Sequence, residues 1–355
     1  MVKLDELRSK IDKLDDQILD LMNERMEIVK QVGELKRSSN SIIYRPEREK
    51  AIIDRLTKRS NGLMERQAIE AIFLEIFAIS RNMELPERVA YLGPEGSFTH
   101  QAAESRFGAI NEYLSIGSIS SVFETVNTGR ARFGVVPVEN NQEGIVQETI
   151  DLIGRYDLKI VAEIPMSIHF SFATLEEKIS DIKKIYSKDI AFRQCRNFLT
   201  DLFGDQIELI PVNSTSTAVK IAKEEPNAAA ICSHIAAKEY GLPILFENIE
   251  DSDSNHTRFW IIARDIINQQ AELNKTSLIA KLPDTPGSLA SFLEAFHNAE
   301  INLSKVESRP AKIGKKFKYW FFVEFDGHFN DDKVQEALAP YLKNVKWLGS
   351  YVKLC

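Results

Sequence analysis

Ser254-Asn255-His256-Thr257-Arg258-Phe259-Trp260-Ile261-Ile262-Ala263 runs from a polar knot straight into an apolar, aromatic strand. A hydroxyl, an amide and a guanidinium crowd the mouth of that strand, where folds present side chains to ligands. A turn that only caps a strand, with Arg258 solvated, has the same local pattern, so the rest of the chain has to decide. Gly134-Val135-Val136-Pro137-Val138-Glu139-Asn140-Asn141-Gln142-Glu143-Gly144 is a second apolar run ending in a polar cluster. Tyr91-Leu92-Gly93-Pro94-Glu95-Gly96-Ser97-Phe98-Thr99 is a third, and the runs 209–212 and 228–232 also lead into hydroxyl-rich helix starts at Ser214, Thr215 and Ser233. Alternation of this kind predicts an α/β fold, mainly parallel, with ligand at the carboxyl ends of strands and helix N-termini facing an anion. Ordinary N-capping accounts equally well for each serine or threonine taken singly.

With 355 residues the chain exceeds one ordinary core and implies two or three domains. A formal charge of −7 disfavours nucleic acid or an anionic membrane as partner, so any anionic substrate must be held by local cations. Cys195, Cys232 and Cys355 are widely spaced and lack a CxxC pair, which suggests free thiols and neither a disulfide framework nor a metal site. No secretory leader or 18-residue apolar stretch is evident, making the cytoplasm the expected location.

Residues 1–85 read as helix, broken only at Gly33, Pro46 and Gly62. Leu4, Ile11, Ile18, Arg25 and Val32 mark one seam of a seven-residue repeat, and Leu7, Leu14, Leu21, Ile28 and Leu35 the other. At 1.5 Å per residue such a helix runs roughly 50 Å, longer than a small domain can cover, which predicts pairing with a second subunit. Arg25 interrupts the seam and needs an anion, whether an interhelical glutamate or a ligand. Lys36 lies near the same stripe, whereas Arg8 points roughly 100° away and would serve another surface, such as a partner's site. A second helix should open at Pro46 with Arg48 and Glu49 in its first turn. A third, over 63–84, buries Ile69, Phe73, Ile76, Phe77 and Met83 and carries Ser80 and Glu84 along the same face.

Arg8, Arg25, Lys36, Arg48, Glu49, Ser80 and Glu84 at these spacings resemble the all-helical chorismate mutases, over nearly all of residues 3–85. The resemblance implies an intertwined three-helix dimer in which those seven residues are catalytic and Arg8 reaches into the other subunit's site. Chorismate is a dicarboxylate that rearranges without covalent help, so clamping and donors on the breaking ether oxygen suffice. Two positions depart from the family pattern: Arg45 replaces its usual acidic loop residue, and Glu84 its common glutamine. Glu84 could donate as a protonated acid or serve as counter-ion to the active-site lysine.

The GPEGSFT, VPVENNQEG and NHTRF strings resemble prephenate dehydratase, in that family's order across residues 88–264. This implies a two-lobed α/β domain that decarboxylates and dehydrates prephenate to phenylpyruvate. By position Thr257 matches the family's catalytic threonine, and Ser97, Thr99, Glu139, Asn140, Gln194, Ser214, Thr215, Asn255, Arg258 and Phe259 are expected to bind substrate. Ile190 stands where the family commonly has a substrate-contacting glutamine, with Lys188 or Arg193 as candidate compensators. Residues 275–355 then read as βαββαβ, an α+β ferredoxin-like arrangement. Their DTPGSL and NLSKVESRP strings resemble the ACT domain of phenylalanine-regulated dehydratases. The resemblance implies an effector site at Pro286, Gly287, Ser288, Leu289, Glu307, Ser308, Arg309 and Pro310.

The expected organisation is therefore 1–86 mutase, 87–268 dehydratase and 275–355 regulatory domain. Chorismate and prephenate are the expected substrates, L-phenylalanine the effector, and the assembly at least a homodimer, with neither metal nor cofactor. The rival is a non-catalytic amino-acid sensor whose long helix only dimerises.

Overall fold

The computed structural model describes residues 4–38, 45–84, 88–204, 207–252, 254–311 and 319–353. Pro86, the last residue of the expected mutase domain, and Cys355 lie outside them. The chain divides into two compact units, one of residues 1–87 with 107–111 and the other of 88–106 with 112–355.

The first unit is all helix: α1 (Leu4–Ser38), α2 (Pro46–Arg59) and α3 (Arg66–Glu84). Asp5 and Glu6 open α1, while Pro46 with Glu47 and Glu49 opens α2 and Lys58 and Arg59 close it, each sign matching the helix dipole. A small core of Ile53, Ile69 and Phe77 joins α2 to α3. The heptad seam of α1 is not part of it: its nine apolar members from Leu4 to Leu35 remain 39–70% exposed. Met83, expected in the α3 core, is exposed as well.

The second unit begins with β1 (Arg88–Leu92), α4 (Phe98–Phe107), β2 (Glu112–Ile116), α5 (Ile119–Asn127) and β3 (Phe133–Asn140). β4 (Gly144–Ile145), α6 (Gln147–Arg155) and β5 (Lys159–Ser167) complete the first pass through one lobe. The second lobe holds β6 (Ser171–Thr174), β7 (Lys184–Ser187), α7 (Asp189–Gln194), α8 (Arg196–Phe203) and β8 (Glu208–Pro211). It ends with α9 (Thr215–Glu224), β9 (Ala228–Cys232), α10 (His234–Tyr240) and β10 (Ile244–Phe246), after which β11 (His256–Ala263) returns to the first lobe. The first sheet is ordered β2-β1-β3-β11-β5, with β4 on β3, and the second β10-β6-β9-β7-β8. Contrary to the mainly parallel expectation, both sheets are mixed. The returning β11 runs antiparallel to β3 and β5, and β6 antiparallel to β9 and β10, because these strands border the crossings between lobes.

The C-terminal part adds β12 (Asn274–Ala280), α11 (Ser288–Asn298), β13 (Leu303–Pro310), β14 (Tyr319–Asp326), α12 (Asp332–Leu338) and β15 (Val345–Val352). Its antiparallel sheet has the order β13-β14-β12-β15 and matches the βαββαβ reading, with strand ends moved by a residue or two. This sheet packs on the first lobe through a shared apolar core in which Val136, Trp260 and Ile262 meet Ile279, Phe322, Leu348 and Tyr351. Between β11 and β12, Asn268 Nδ2 donates to the carbonyls of Val161 and Ser350. No helix among the described residues is long and apolar enough to cross a membrane.

Gly349 makes the closest backbone approach in this packing, since a Cβ there would stand 2.1 Å from the Ile160 carbonyl oxygen at a φ of +152°. Gly349→Ala is therefore expected to cost roughly 3 kcal/mol through forced displacement of β15 from β5. Calorimetric melting of the variant checks this, and an unshifted transition would mean the strands do not meet so closely.

Candidate active sites

In the helical unit, helical spacing sets Arg25 and Lys36 of α1 along α3. Arg25 Nη1 donates to Ser80 Oγ at 2.6 Å, and Lys36 Nζ pairs with Glu84 Oε2 at 2.7 Å, one turn farther along α3. Gly33 allows this approach, because a Cβ there would lie 3.2 Å from the Glu84 Cα. Burial lowers the Arg25 pKa from its ordinary value, partly offset by the nearby Glu84 carboxylate. Glu84 thus occupies the counter-ion position of the two sequence alternatives. Glu49 is buried and ion-paired with Arg81, a buried arginine that the helical stripe did not single out. Arg48 is exposed, and Arg8 is exposed with the Asp5 carboxylate 4.0 Å away. Arg8 lies 17 residues before Arg25, roughly 25 Å along the helix, so it is not brought to its own chain's cluster.

The second site forms where β11 leaves the interlobe crossing beside the end of β3. Asn140 Oδ1 accepts from the backbone N–H groups of Gln142 and Glu143, which fixes the orientation of its amide. Its Nδ2 consequently donates to both Thr257 Oγ1 and Asn255 Oδ1, each at 2.8 Å. The Thr257 oxygen is then an acceptor from protein, and its own proton has no acceptor among the described residues. Asn255 Nδ2 donates in turn to Gln194 Oε1 at 3.1 Å, and Gln194 Nε2 reaches Gln142 Oε1. This amide chain joins the lobes through Asn140, Gln142, Gln194 and Asn255. Gln142 was overlooked, although it stands in the quoted ENNQEG string and its side chain needed a partner.

The three helix starts do converge, with their hydroxyls occupied. Ser97 accepts from His100 N and donates to Leu92 O, Ser214 accepts from Thr217 N, and Ser233 donates to Gly96 O at 2.6 Å. Gly96 sits so close to α10 that a Cβ would be 2.8 Å from the Ala236 Cα, at a φ of +75°. Thr99 and Thr215 are buried, whereas the equally buried Ser216 Oγ has no partner among the described residues. Ile190 is half-buried, Lys188 is exposed, and Arg193 is paired with Asp189.

Arg258 and Glu139 are engaged away from the expected substrate contacts. Phe259 is buried, and the side chains of Arg258 and Glu139 turn away from Thr257 toward the C-terminal sheet. For Arg258 and Glu139 the reason is strand geometry, in which consecutive residues face opposite sides of a sheet, each following or preceding a residue of the interlobe site.

Of the expected effector residues, Ser288, Leu289, Ser308 and Pro310 line a cavity of about 730 Å³ walled also by Trp320 and by Asp151 of α6. Pro286 and Gly287 form the exposed turn before α11, with Gly287 at a φ of +87°. Arg309 is held by Asp151 at 2.9 Å, and Glu307 is half-buried on the same face of β13.

Three family models match successive parts of the chain. The family model described as chorismate mutase type II matches residues 7–85, that of prephenate dehydratase 89–266, and that of the ACT domain 276–341. A bifunctional chorismate mutase/prephenate dehydratase of Aquifex aeolicus is 39% identical over 99% of this chain and 99% of its own. The crystal structure of an Arthrobacter aurescens prephenate dehydratase in complex with L-Phe is 32% identical. It covers 75% of this chain and 90% of its own, with a TM-score of 0.68. A Staphylococcus aureus prephenate dehydratase structure is 30% identical over 74% of this chain and 99% of its own, with a TM-score of 0.64.

Both described cysteines lie outside this chemistry. Burial pushes the Cys232 thiol up to about 12 and raises that of Cys195 as well. In a Cys355→Ser background, a disulfide reagent at pH 8 is expected to leave the folded chain unmodified and to titrate both thiols in urea. Prompt reaction of the native protein would contradict the burial described.

Proposed function

The chain belongs to the bifunctional chorismate mutase/prephenate dehydratases, and from that premise we propose how its residues divide the two reactions. The protein rearranges chorismate to prephenate and then decarboxylates and dehydrates prephenate to phenylpyruvate. The first step suits the helical cluster, where the Arg25 guanidinium and Lys36 ammonium meet a dicarboxylate and Ser80 holds Arg25 in place. Glu49, held by Arg81, and Arg48 complete the same end of the unit. The apolar seam of α1 supports a homodimer in which a second copy covers it and contributes Arg8.

The second step is assigned to Thr257, and the observation that carries it is the Asn140 amide donating into its hydroxyl oxygen. That bond leaves the threonine proton aimed outward, as a donor to the departing hydroxyl oxygen while the carboxylate leaves as CO2 and the ring becomes aromatic. Asn255 and Gln194 keep Asn140 in place, and the helix starts at Ser97 and Ser214 favour an anion nearby. L-phenylalanine is the proposed effector. The cavity carrying Ser288, Leu289, Ser308 and Pro310 supports this, as does the L-Phe complex of the related dehydratase. Cytoplasmic residence accords with the buried, unpaired Cys195 and Cys232.

Two substitutions test the division. Thr257→Ala is expected to lower dehydratase kcat by about 10²–10⁴-fold while mutase turnover stays within a few-fold. Arg25→Leu, which restores an unbroken apolar seam, should abolish mutase turnover in a dimer at least as stable as wild type and spare the dehydratase. A folded Thr257→Ala enzyme with wild-type dehydratase rates would refute the site, and Arg25→Leu active but unstable would make Arg25 a structural partner.

A further inference from the structure

Thr257 and Asn140 are register partners across β11 and β3, and the adjacent rung is Arg258 with Glu139. The first rung turns its side chains to each other at the interlobe site, and the second turns its side chains to the opposite face. On that face the Arg258 guanidinium meets three carboxylates, Glu324 at 2.7 Å, Glu139 at 3.2 Å and Glu163 at 3.3 Å. Lys275 pairs with Glu163 at 2.8 Å and Lys305 with Glu139 at 2.5 Å, so three cations balance three anions. Ser277 and Tyr351 donate to the second oxygen of Glu324. Glu163 and Glu324 are almost wholly buried, and the next residue on this face of β11, Trp260, packs on Phe322 with ring centres 5.5 Å apart.

The network spans two parts of one compact unit. Arg258, Glu139 and Glu163 come from the dehydratase sheet, whereas Glu324, Lys275 and Lys305 come from the C-terminal sheet. Lys305 lies on β13, the strand that also supplies Ser308 and Pro310 to the cavity.

We infer that Arg258 is a positioning residue of the dehydratase. Clamped between Glu139 and Glu324, it holds the Thr257–Asn140 rung in register from the face opposite the substrate, and so makes that register depend on the C-terminal sheet. The inference rests on Thr257 being the acting group. A guanidinium with several fixed carboxylates has few alternative placements, and a strand pinned on one face transmits the constraint to the other through its backbone. Any shift of β13 or β14 on effector binding has to break or carry these bonds, which supplies the differential contact that an allosteric effect requires.

The test uses the full-length enzyme with Arg258→Gln, Glu324→Gln, the double variant and, alongside them, Thr257→Ala. Glu324→Gln is nearly isosteric, lies on β14 away from the interlobe site, and remains informative if Arg258→Gln does not fold. Both single variants are expected to lower dehydratase kcat about tenfold at an unchanged KM for prephenate, short of the hundredfold that a roughly 1 Å misplacement can cost. The double variant should be no slower than the slower single, since both remove one contact. L-phenylalanine should inhibit Glu324→Gln less at undiminished calorimetric affinity, while mutase turnover serves as the internal reference. A raised KM at constant kcat for Arg258→Gln would make Arg258 a substrate ligand and overturn the inference. Wild-type kcat in Glu324→Gln, or melting lowered with kcat intact, would overturn it too. If Thr257→Ala itself retains wild-type kcat, the reading of the site fails and takes this inference with it, whereas an inactive Thr257→Ala beside a fully active Glu324→Gln sinks the inference alone.

Discussion

The guanidinium of Arg258, sealed among Glu139, Glu163 and Glu324, is the constraint on which the larger unit depends. Burial by itself would depress its pKa, but Glu324, Tyr351 and Glu163 outweigh that and raise it above the ordinary arginine value. A charge set of this kind is costly to desolvate and stable only when complete, because removing one member strands the others in a low-dielectric interior. Lys275 and Lys305 close the balance, and the apolar contact of Trp260 with Phe322 beside them excludes water. Two sheets with separate folding patterns therefore behave as one body, whose junction lies directly behind the strand that carries Thr257.

The helical unit follows the opposite economy. Its own core is small, confined to Ile53, Ile69, Phe77 and their neighbours, and its longest apolar stripe faces outward along α1. A stripe that long and that apolar is unfavourable in water. Within it the polar cluster is already paired, Arg25 to Ser80 and Lys36 to Glu84, so a dicarboxylate entering there would compete with Glu84 for the lysine. A sensor would have no use for cations in such a core, and this is the physical reason the enzymatic reading outweighs a purely dimerising one.

Much of this was legible in the chain. The seven-residue repeat of α1, the strand, turn and helix rhythm of the α/β part and the βαββαβ order of the C-terminal part are local patterns, so periodicity carries them. The cluster around Thr257 was legible for the same reason, with its hydroxyl and amides gathered at two strand ends. Gln142 and Arg81 escaped because a polar side chain gains meaning only from its partner, and those partners, Gln194 and Glu49, lie far away in sequence.

The sequence by itself determined that Thr257 and Arg258 face opposite ways, since a strand alternates whatever surrounds it. Only the tertiary structure decided what covers the second face. The partners of Arg258 come from β3, β5 and β14, and β11 reaches its central place by returning from the other lobe antiparallel to its neighbours. Side-chain direction is a local property of the backbone. Pairing of distant strands is a long-range one, set by which surfaces bury the most apolar area and leave no charge alone.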